Sequence, residues 1–558
     1  MSFRDNLRTM DPLEVALLAT FVVLFALAGV LWAGVSLFSV LTGEAVLSPP
    51  ALLVGLARGR VHLGAGHWVT TGALFAILVG VSALLRRLRN RAGGPKRGDK
   101  AARLTGKDKD IQSLTEQAVA AKAKRLGVTN GQIGLPVGHT VSSGRSLWSS
   151  LEDVCILVAG PRTGKTTCWV IPRIFAARGA VVATSNKRDI VDDTRDRRSS
   201  CGPVWVFDPQ GIADETQVFW WNPLSYVTDA VSATALADIF VDTTRDPKAQ
   251  GSAFFDQAAR NLVAGMLLAA SRSGRPISEL HGWLNNQSED MPVRILREHG
   301  EYQMAETLAG TMNLVPETRS GVYGGAAQIM AWLVNEKAIK WVTPQGWLPH
   351  FDVDEFVRST GTLYCLSQEG RGSASPIVTA LTVAVTEAAI RHARTQPGGR
   401  LSQPMLIELD EAANVCRWRE LPDLYSHFGS RGIQVDTILQ SWAQGAQAWG
   451  EEGVRKLWSA SNVKVYGGGV SEKQFLQDLS DMIGQHWVDS RQVSYSRQGR
   501  QSSLSQESQQ RQIATVAELQ ALPAGRSWVL ASGATPVLAR TVPWWEADKA
   551  ETKRGGKR

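Results

Sequence analysis

The stretch V-C-I-L-V-A-G-P-R-T-G-K-T-T, Val154–Thr167, decides how the rest of this chain is read. Its apolar start predicts a buried strand, the glycine-bearing middle a tight loop, and Lys165 onward the opening of a helix. In such a loop, here Gly160, Pro161, Arg162, Thr163 and Gly164, successive backbone amides wrap a β-phosphate. Lys165 reaches the β/γ oxygens, the Thr166 hydroxyl ligates Mg²⁺, and Thr167 continues the first turn of a helix whose N-terminus favours anions. The pattern departs from G-x-x-x-x-G-K-[ST] at its first position, where Ala159 stands. That position needs a small residue, and alanine satisfies it.

A partner for this loop lies downstream in M-L-I-E-L-D-E-A-A-N, Met405–Asn414. Apolar residues lead into Asp410 and Glu411, which a buried strand delivers to the carboxyl edge of an α/β sheet, where such sheets bind ligands. Asp410 is suited to the Mg²⁺ shell and Glu411 to polarising an attacking water. Glu408 adds a third carboxylate on the strand itself. Together the two stretches predict binding and hydrolysis of ATP with Mg²⁺.

Of the 558 residues, 60 are Lys or Arg and 52 Asp or Glu, a formal net charge of +8. Residues 1–126 hold 17 of the bases against 8 acids, leaving 43 against 44 in the remainder. A uniformly basic, nucleic-acid-coating protein is therefore excluded, and any DNA contact must come from a local patch. The five cysteines lack C-x-x-C spacing, which argues against disulfides or zinc and fits a reducing compartment.

Leu13–Leu41 is almost wholly apolar after Glu14, long enough for a hydrocarbon core of ~30 Å. Trp68–Leu85 is just long enough and ends in R-R-L-R-N-R, Arg86–Arg91. By the positive-inside rule this cluster holds the C-terminal side in the cytoplasm, and two spans return the N-terminus to the same side. The predicted organisation is a two-span anchor over 1–91, a charged stalk over 92–126, an ATPase domain over 127–545 and a basic tail over 546–558. Short apolar runs alternating with helical patterns predict a parallel sheet flanked by helices. The strand signal lapses at about 230–360, which reads as an all-α insertion. Ser490–Gln512 is polar and Ser/Gln/Arg-rich, and reads as disorder or a mobile hairpin.

Further stretches narrow the class of motor. They are W-N-P-L (Trp221–Leu224), F-F-D-Q-A-A-R-N-L (Phe254–Leu262), A-A-N (Ala412–Asn414), L-P-D-L (Leu421–Leu424), G-S-R-G-I-Q-V-D-T-I-L-Q-S (Gly429–Ser441), N-V-K-V-Y-G-G-G (Asn462–Gly469) and L-Q-A-L-P-A-G (Leu519–Gly525). In order and wording they resemble the coupling-protein family of conjugative type IV secretion, over most of residues 130–545 and the two-span anchor. The resemblance implies a RecA-like P-loop NTPase domain with an all-α insertion. It also implies a hexamer in the plasma (inner) membrane, with both termini cytoplasmic, delivering relaxase-linked single-stranded DNA to a secretion channel. Carried over by position, Gln440 matches a sensor glutamine, and the insertion matches a domain for relaxosome contact. Arg431 is the candidate for an arginine acting on a neighbouring subunit's nucleotide, with Arg260 and Arg319 as alternatives. Other readings are a double-stranded DNA pump of the chromosome-partition class, or a nucleotide-gated membrane receptor for secreted protein substrates.

Overall fold

The computed structural model describes residues 12–91, 97–106, 109–128, 130–244, 252–370, 372–495 and 502–547. The chain divides into two units, Met1–Lys96 and Arg97–Arg558. In the first, helices Pro12–Thr42 and Ala65–Arg91 are separated by a short helix, Pro49–Ala57. The windows Phe25–Thr42 and Ala65–Ser82 are each long and apolar enough to cross a membrane, with mean hydropathies of 1.9 and 1.4. The long helices meet where side chains are small. A Cβ on Gly34 would lie 2.5 Å from the Thr71 backbone, and one on Gly66 would run into the Phe38 ring. Thr70 Oγ1 donates to the Gly34 carbonyl at 2.9 Å across this contact. Small residues and hydroxyl-to-backbone bonds are the usual means by which apolar helices pair.

The second unit is built on eleven strands: β1 (Leu135–Thr140), β2 (Ser146–Ser149), β3 (Cys155–Val158), β4 (Val181–Ser185), β5 (Val204–Phe207), β6 (Thr362–Leu366), β7 (Met405–Leu409), β8 (Ile433–Leu439), β9 (Val463–Tyr466), β12 (Arg526–Ala531) and β13 (Val537–Arg540). Two more, β10 (Gln485–Tyr495) and β11 (Ser502–Gln512), pair only with each other. The sheet order is β2-β1-β13-β12-β9-β3-β8-β7-β4-β6-β5. From β9 to β5 all neighbours run parallel, while β12, β13, β1 and β2 extend the sheet antiparallel. The carboxyl ends of β3, β8, β7 and β4 therefore lie side by side on one edge.

The apolar runs at 154–158, 180–184, 204–207, 362–366, 405–409, 433–439, 463–466 and 528–531, each of which reads as a strand, form strands within two residues of those limits, and β3, β4, β6, β7 and β8 are buried on both faces. β1, β2 and β13 were not anticipated. β1 carries Pro136 and Gly138, at which its register to β2 shifts, and β2 is four residues long. Proline and glycine argue against a central strand, but these strands lie toward the edge, where a bulge is tolerated. The ribbon β10–β11 is the hairpin alternative to disorder, with its tip, 496–501, outside the described residues.

Between β5 and β6 the chain leaves the sheet for a run of helices that includes Ala230–Thr244, Ala253–Arg272, Tyr302–Met312, Pro316–Ile329 and Glu336–Val342. Leu262, Leu267, Leu268 and Ala269 are fully buried at their centre. Residues 97–126, read as part of a stalk, pack instead within the second unit. Ile111, Leu114 and Val119 are buried beside the strands, and Asp99 pairs with Arg526 at 2.7 Å. Apolar residues interspersed among the charges draw this segment onto the body.

Candidate nucleotide site

The loop after β3 is shaped by close backbone contact with the three glycines after β9. Gly160 N–H donates to the Gly468 carbonyl at 2.8 Å, and a Cβ on Gly160 would lie 2.1 Å from the Gly469 carbonyl oxygen. Ala159 is buried with its methyl facing Gly467, where a Cβ would approach within 2.7 Å. This explains the departure at the first position of the motif: the space there is shared with another loop and takes nothing larger than alanine. Arg162 and Gly164 adopt φ of 60° and 85°, turning the chain into the helix. Thr163 Oγ1 donates to the Gly160 carbonyl at 2.8 Å. Thr166–Val170 winds as a wider π turn and continues as helix Ile171–Ala176, with Ile171 N–H reaching back to the Thr166 carbonyl. Pro172 has no N–H to close an ordinary turn at this point.

The two sequence-predicted halves come together. Thr166 Oγ1 lies 3.4 Å from Asp410 Oδ2, although 244 positions separate them. Lys165 folds back on the loop, donating to the carbonyls of Ala159 and Gly160 at 3.0 and 3.1 Å. Burial pulls its ammonium below the usual lysine range, against the opposing pull of Asp410 and Glu411. Burial, reinforced by Glu411, pushes the Asp410 carboxyl up to about 7, with Lys165 acting the other way. Asp410 Oδ1 is buried with no hydrogen-bond partner among the described residues. A buried orphan carboxylate oxygen beside a threonine hydroxyl is a fitting donor pair for a hard divalent cation.

Glu411 follows β7 with φ 53° and ψ 46°, left-handed values that cost a non-glycine residue roughly 1–2 kcal/mol. Its carboxylate is held by two amides. Gln440 Nε2, from the end of β8, donates to Oε1 at 2.6 Å. Asn186 Nδ2, from the end of β4, donates to Oε2 at 2.6 Å. Asn186 was missed by the motif reading. Its only signal is its place just after an apolar run, and β4 proves to be the neighbour of β7.

Glu408 belongs to a buried cluster below the site. Arg173, from the helix that follows the loop, forks onto Asp436 of β8 and lies 3.5 Å from Glu408 Oε1. All three side chains are fully buried, and burial together with Asp436 holds the Glu408 carboxyl well above the usual carboxylate range. Glu408 is thus a packing residue tying β7, β8 and the loop helix together.

Arg431 is not brought to this edge. It ends the turn Gly429–Arg431 before β8 and donates to the His427 carbonyl at 2.8 Å, a strand's length, roughly 20 Å, from Gln440. Arg260 pairs with Asp238 and Arg319 donates to the Met312 carbonyl, both within the insertion. None of the three arginines touches the Lys165 cluster of its own chain, so each is open only to a role toward a neighbouring copy.

Sheet order and the loop after β3 give the second unit a RecA-like P-loop fold. The solved structures it resembles include the plasmid coupling protein TrwB in complex with the ATP analogue ADPNP (TM-score 0.54, 14% identity, 76% of this chain and 92% of that one). TrwB in complex with ADP and Mg²⁺ matches over the same shares with a TM-score of 0.53. Residues 404–524 match the family model described as the TraM recognition site of TraD and TraG. Among curated relatives, the conjugal transfer protein TraG of Rhizobium radiobacter is 24% identical over 426 residues, 72% of this chain and 64% of the relative. Protein VirD4 of Rhizobium rhizogenes is 23% identical over 367 residues, 63% of this chain and 52% of the relative. The matched stretches thus span between half and two thirds of these relatives' length. The family model and the relatives are those of conjugal transfer proteins, and the fold neighbours share the fold of a conjugative coupling protein.

Proposed function

We propose that this chain is a membrane-anchored coupling ATPase that hydrolyses ATP with Mg²⁺ to drive single-stranded DNA, with its attached relaxase, toward a type IV secretion channel. The observation that carries the chemistry is the convergence of Thr166, Asp410, Glu411 and Gln440 on one sheet edge. Thr166 and the unpartnered Asp410 Oδ1 are the residues to hold Mg²⁺, which, when bound, offsets charge between the β- and γ-phosphates. Lys165 swings from the loop carbonyls to the phosphate oxygens. Glu411 orients and polarises the attacking water; each of its oxygens keeps a second lone pair beside the amide it already accepts. ATP and Mg²⁺ as ligands are supported by the bound species named for TrwB.

DNA as cargo rests on the conjugal-transfer relatives. Contact with a relaxosome component is supported by the description attached to residues 404–524. In this chain that stretch holds β7, β8 and β9, whose residues are almost all buried, the helices Leu421–Phe428, Trp442–Ala460 and Lys473–Ile483, and the ribbon β10–β11, which pairs with no strand of the main sheet. The two apolar helices, with the arginines of 86–91 after the second, support a two-span anchor in the plasma membrane with both termini cytoplasmic. A hexamer places one subunit's arginine, with Arg431 the first candidate, at its neighbour's nucleotide.

The test is the steady-state ATPase of the purified full chain with and without single-stranded DNA, alongside the mass of the assembly. Turnover stimulated by single strands and confined to oligomers is expected, and Glu411→Gln should lower kcat by about 10²-fold or more. Preferential stimulation by duplex DNA would move the reading to a double-strand pump. Full DNA-independent activity in a monomer would overturn the ring.

A further inference from the structure

Three observations meet at Asn186. Its side-chain amide holds Glu411 Oε2 at 2.6 Å while Gln440 holds Oε1, so a water approaching either oxygen must share it with an N–H already in place. Its own backbone is tied sideways, since Gln368 Nε2 donates to the Asn186 carbonyl at 3.3 Å and Ser367 N–H to the Ser185 carbonyl at 3.1 Å. Gln368 and its neighbours are in turn gathered by Gln210, whose Oε1 accepts from Gln368 N at 2.8 Å, Ser367 Oγ at 3.1 Å and Ala374 N at 3.2 Å. Gln210 stands three residues beyond β5, on the segment 208–229 that leads into the helical insertion. A continuous set of hydrogen bonds therefore runs from the root of the insertion, through Gln210, Gln368 and Asn186, to the carboxylate that faces the water.

We infer that Asn186 is a positioning residue that restrains Glu411 in the resting chain and releases it when the insertion moves on engaging cargo. The proposal rests on Glu411 being the water-activating group. The physical basis is competition. A carboxylate bonded by amides on both oxygens is held in one rotamer and partly occupied, and removing one amide frees an oxygen for water. The left-handed backbone of Glu411 adds a strained hinge next to that restraint. Gln440 is the other amide, but it comes from the sensor strand and has no bond to the insertion's root; Asn186 is the one wired to it.

The experiment compares the full chain with Asn186→Ala and Gln368→Ala, measuring kcat and KM for ATP with and without single-stranded DNA. Asn186→Ala is expected to raise DNA-free kcat at least threefold, keep KM for ATP within twofold, and bring the stimulation ratio toward one. Gln368→Ala, at an exposed position, should move both quantities the same way by a smaller factor and serves if Asn186→Ala does not fold. A DNA-free kcat at or below wild type in both variants, with the stimulation ratio intact, overturns the inference. Wild-type chain without ATPase activity under any condition would instead overturn the ATPase reading on which it rests. The first failure appears only in the variants and the second already in the wild type.

Discussion

Asp410 and Glu411 are adjacent in sequence yet sit in opposite surroundings. Asp410 is buried with one oxygen unpartnered, and Glu411 has both oxygens engaged by amides. Adjacent residues at a strand end face different ways, so the two acids meet different neighbours. Two residues earlier, Glu408 shares one guanidinium with Asp436 in the interior. Replacing Arg173 by Met should cost about 3–5 kcal/mol, because it strands buried acid without a counter-charge. Glu408→Gln should stay within about 1 kcal/mol. The Glu408 carboxyl is held above its unfolded value, so its contribution is complete below the ordinary carboxylate range and is lost as pH rises through the folded value. Glu408→Gln should accordingly flatten the alkaline arm of a stability-against-pH profile measured by urea unfolding; an unchanged arm would assign that loss elsewhere. At the loop, Gly160→Ala should abolish nucleotide binding, since the new Cβ meets the Gly469 carbonyl oxygen at 2.1 Å. Calorimetric titration with ATP checks it.

At the scale of elements, the sheet behaves as two parts. Its parallel half is made of short apolar runs that any neighbour buries, and these are readable from composition alone. In its antiparallel half β12 carries an apolar run of its own, whereas β1, β2 and the ribbon are made of mixed or polar residues that become strands only because partners supply the hydrogen bonds. The ribbon pairs eleven residues with eleven, from Gln485↔Gln512 to Tyr495↔Ser502, and is not part of the main sheet. Replacing residues 487–510 by a short Gly-Ser turn should therefore shift the Tm of the main unit by less than about 2 °C, the range of surface changes in a large domain. A larger fall would show that the ribbon is packed onto the body. If the ribbon serves a partner instead, the shortened chain should keep ATPase activity and lose transfer.

For the whole molecule, the boundary that matters lies near residue 97, ahead of the predicted domain start at 127. A chain of residues 97–558 should fold without the apolar helices, whereas 127–558 loses Ile111, Leu114 and Val119 from the core and Asp99 from its pair with Arg526. At about 1.5–3 kcal/mol for each fully buried aliphatic side chain, the shorter chain should be less stable by about 5 kcal/mol or more. Urea unfolding of the two chains compares them directly.

Local pattern by itself determined the phosphate loop, the acidic strand end, the apolar helices and the helical insertion, because each depends on residues next to one another in the chain. Lys165, Thr166, Asp410 and Glu411 were readable in this way, whereas Gln440 was singled out only by the family resemblance. Tertiary structure alone decided that Asn186 shares Glu411 with Gln440, that Ala159 and Gly160 are limited by Gly467–Gly469, that Glu408 is a core residue, and that Arg431 lies at the far end of β8. These depend on which strands become neighbours across more than two hundred residues. Strand order is set by the packing of the whole sheet, and no local stretch carries it.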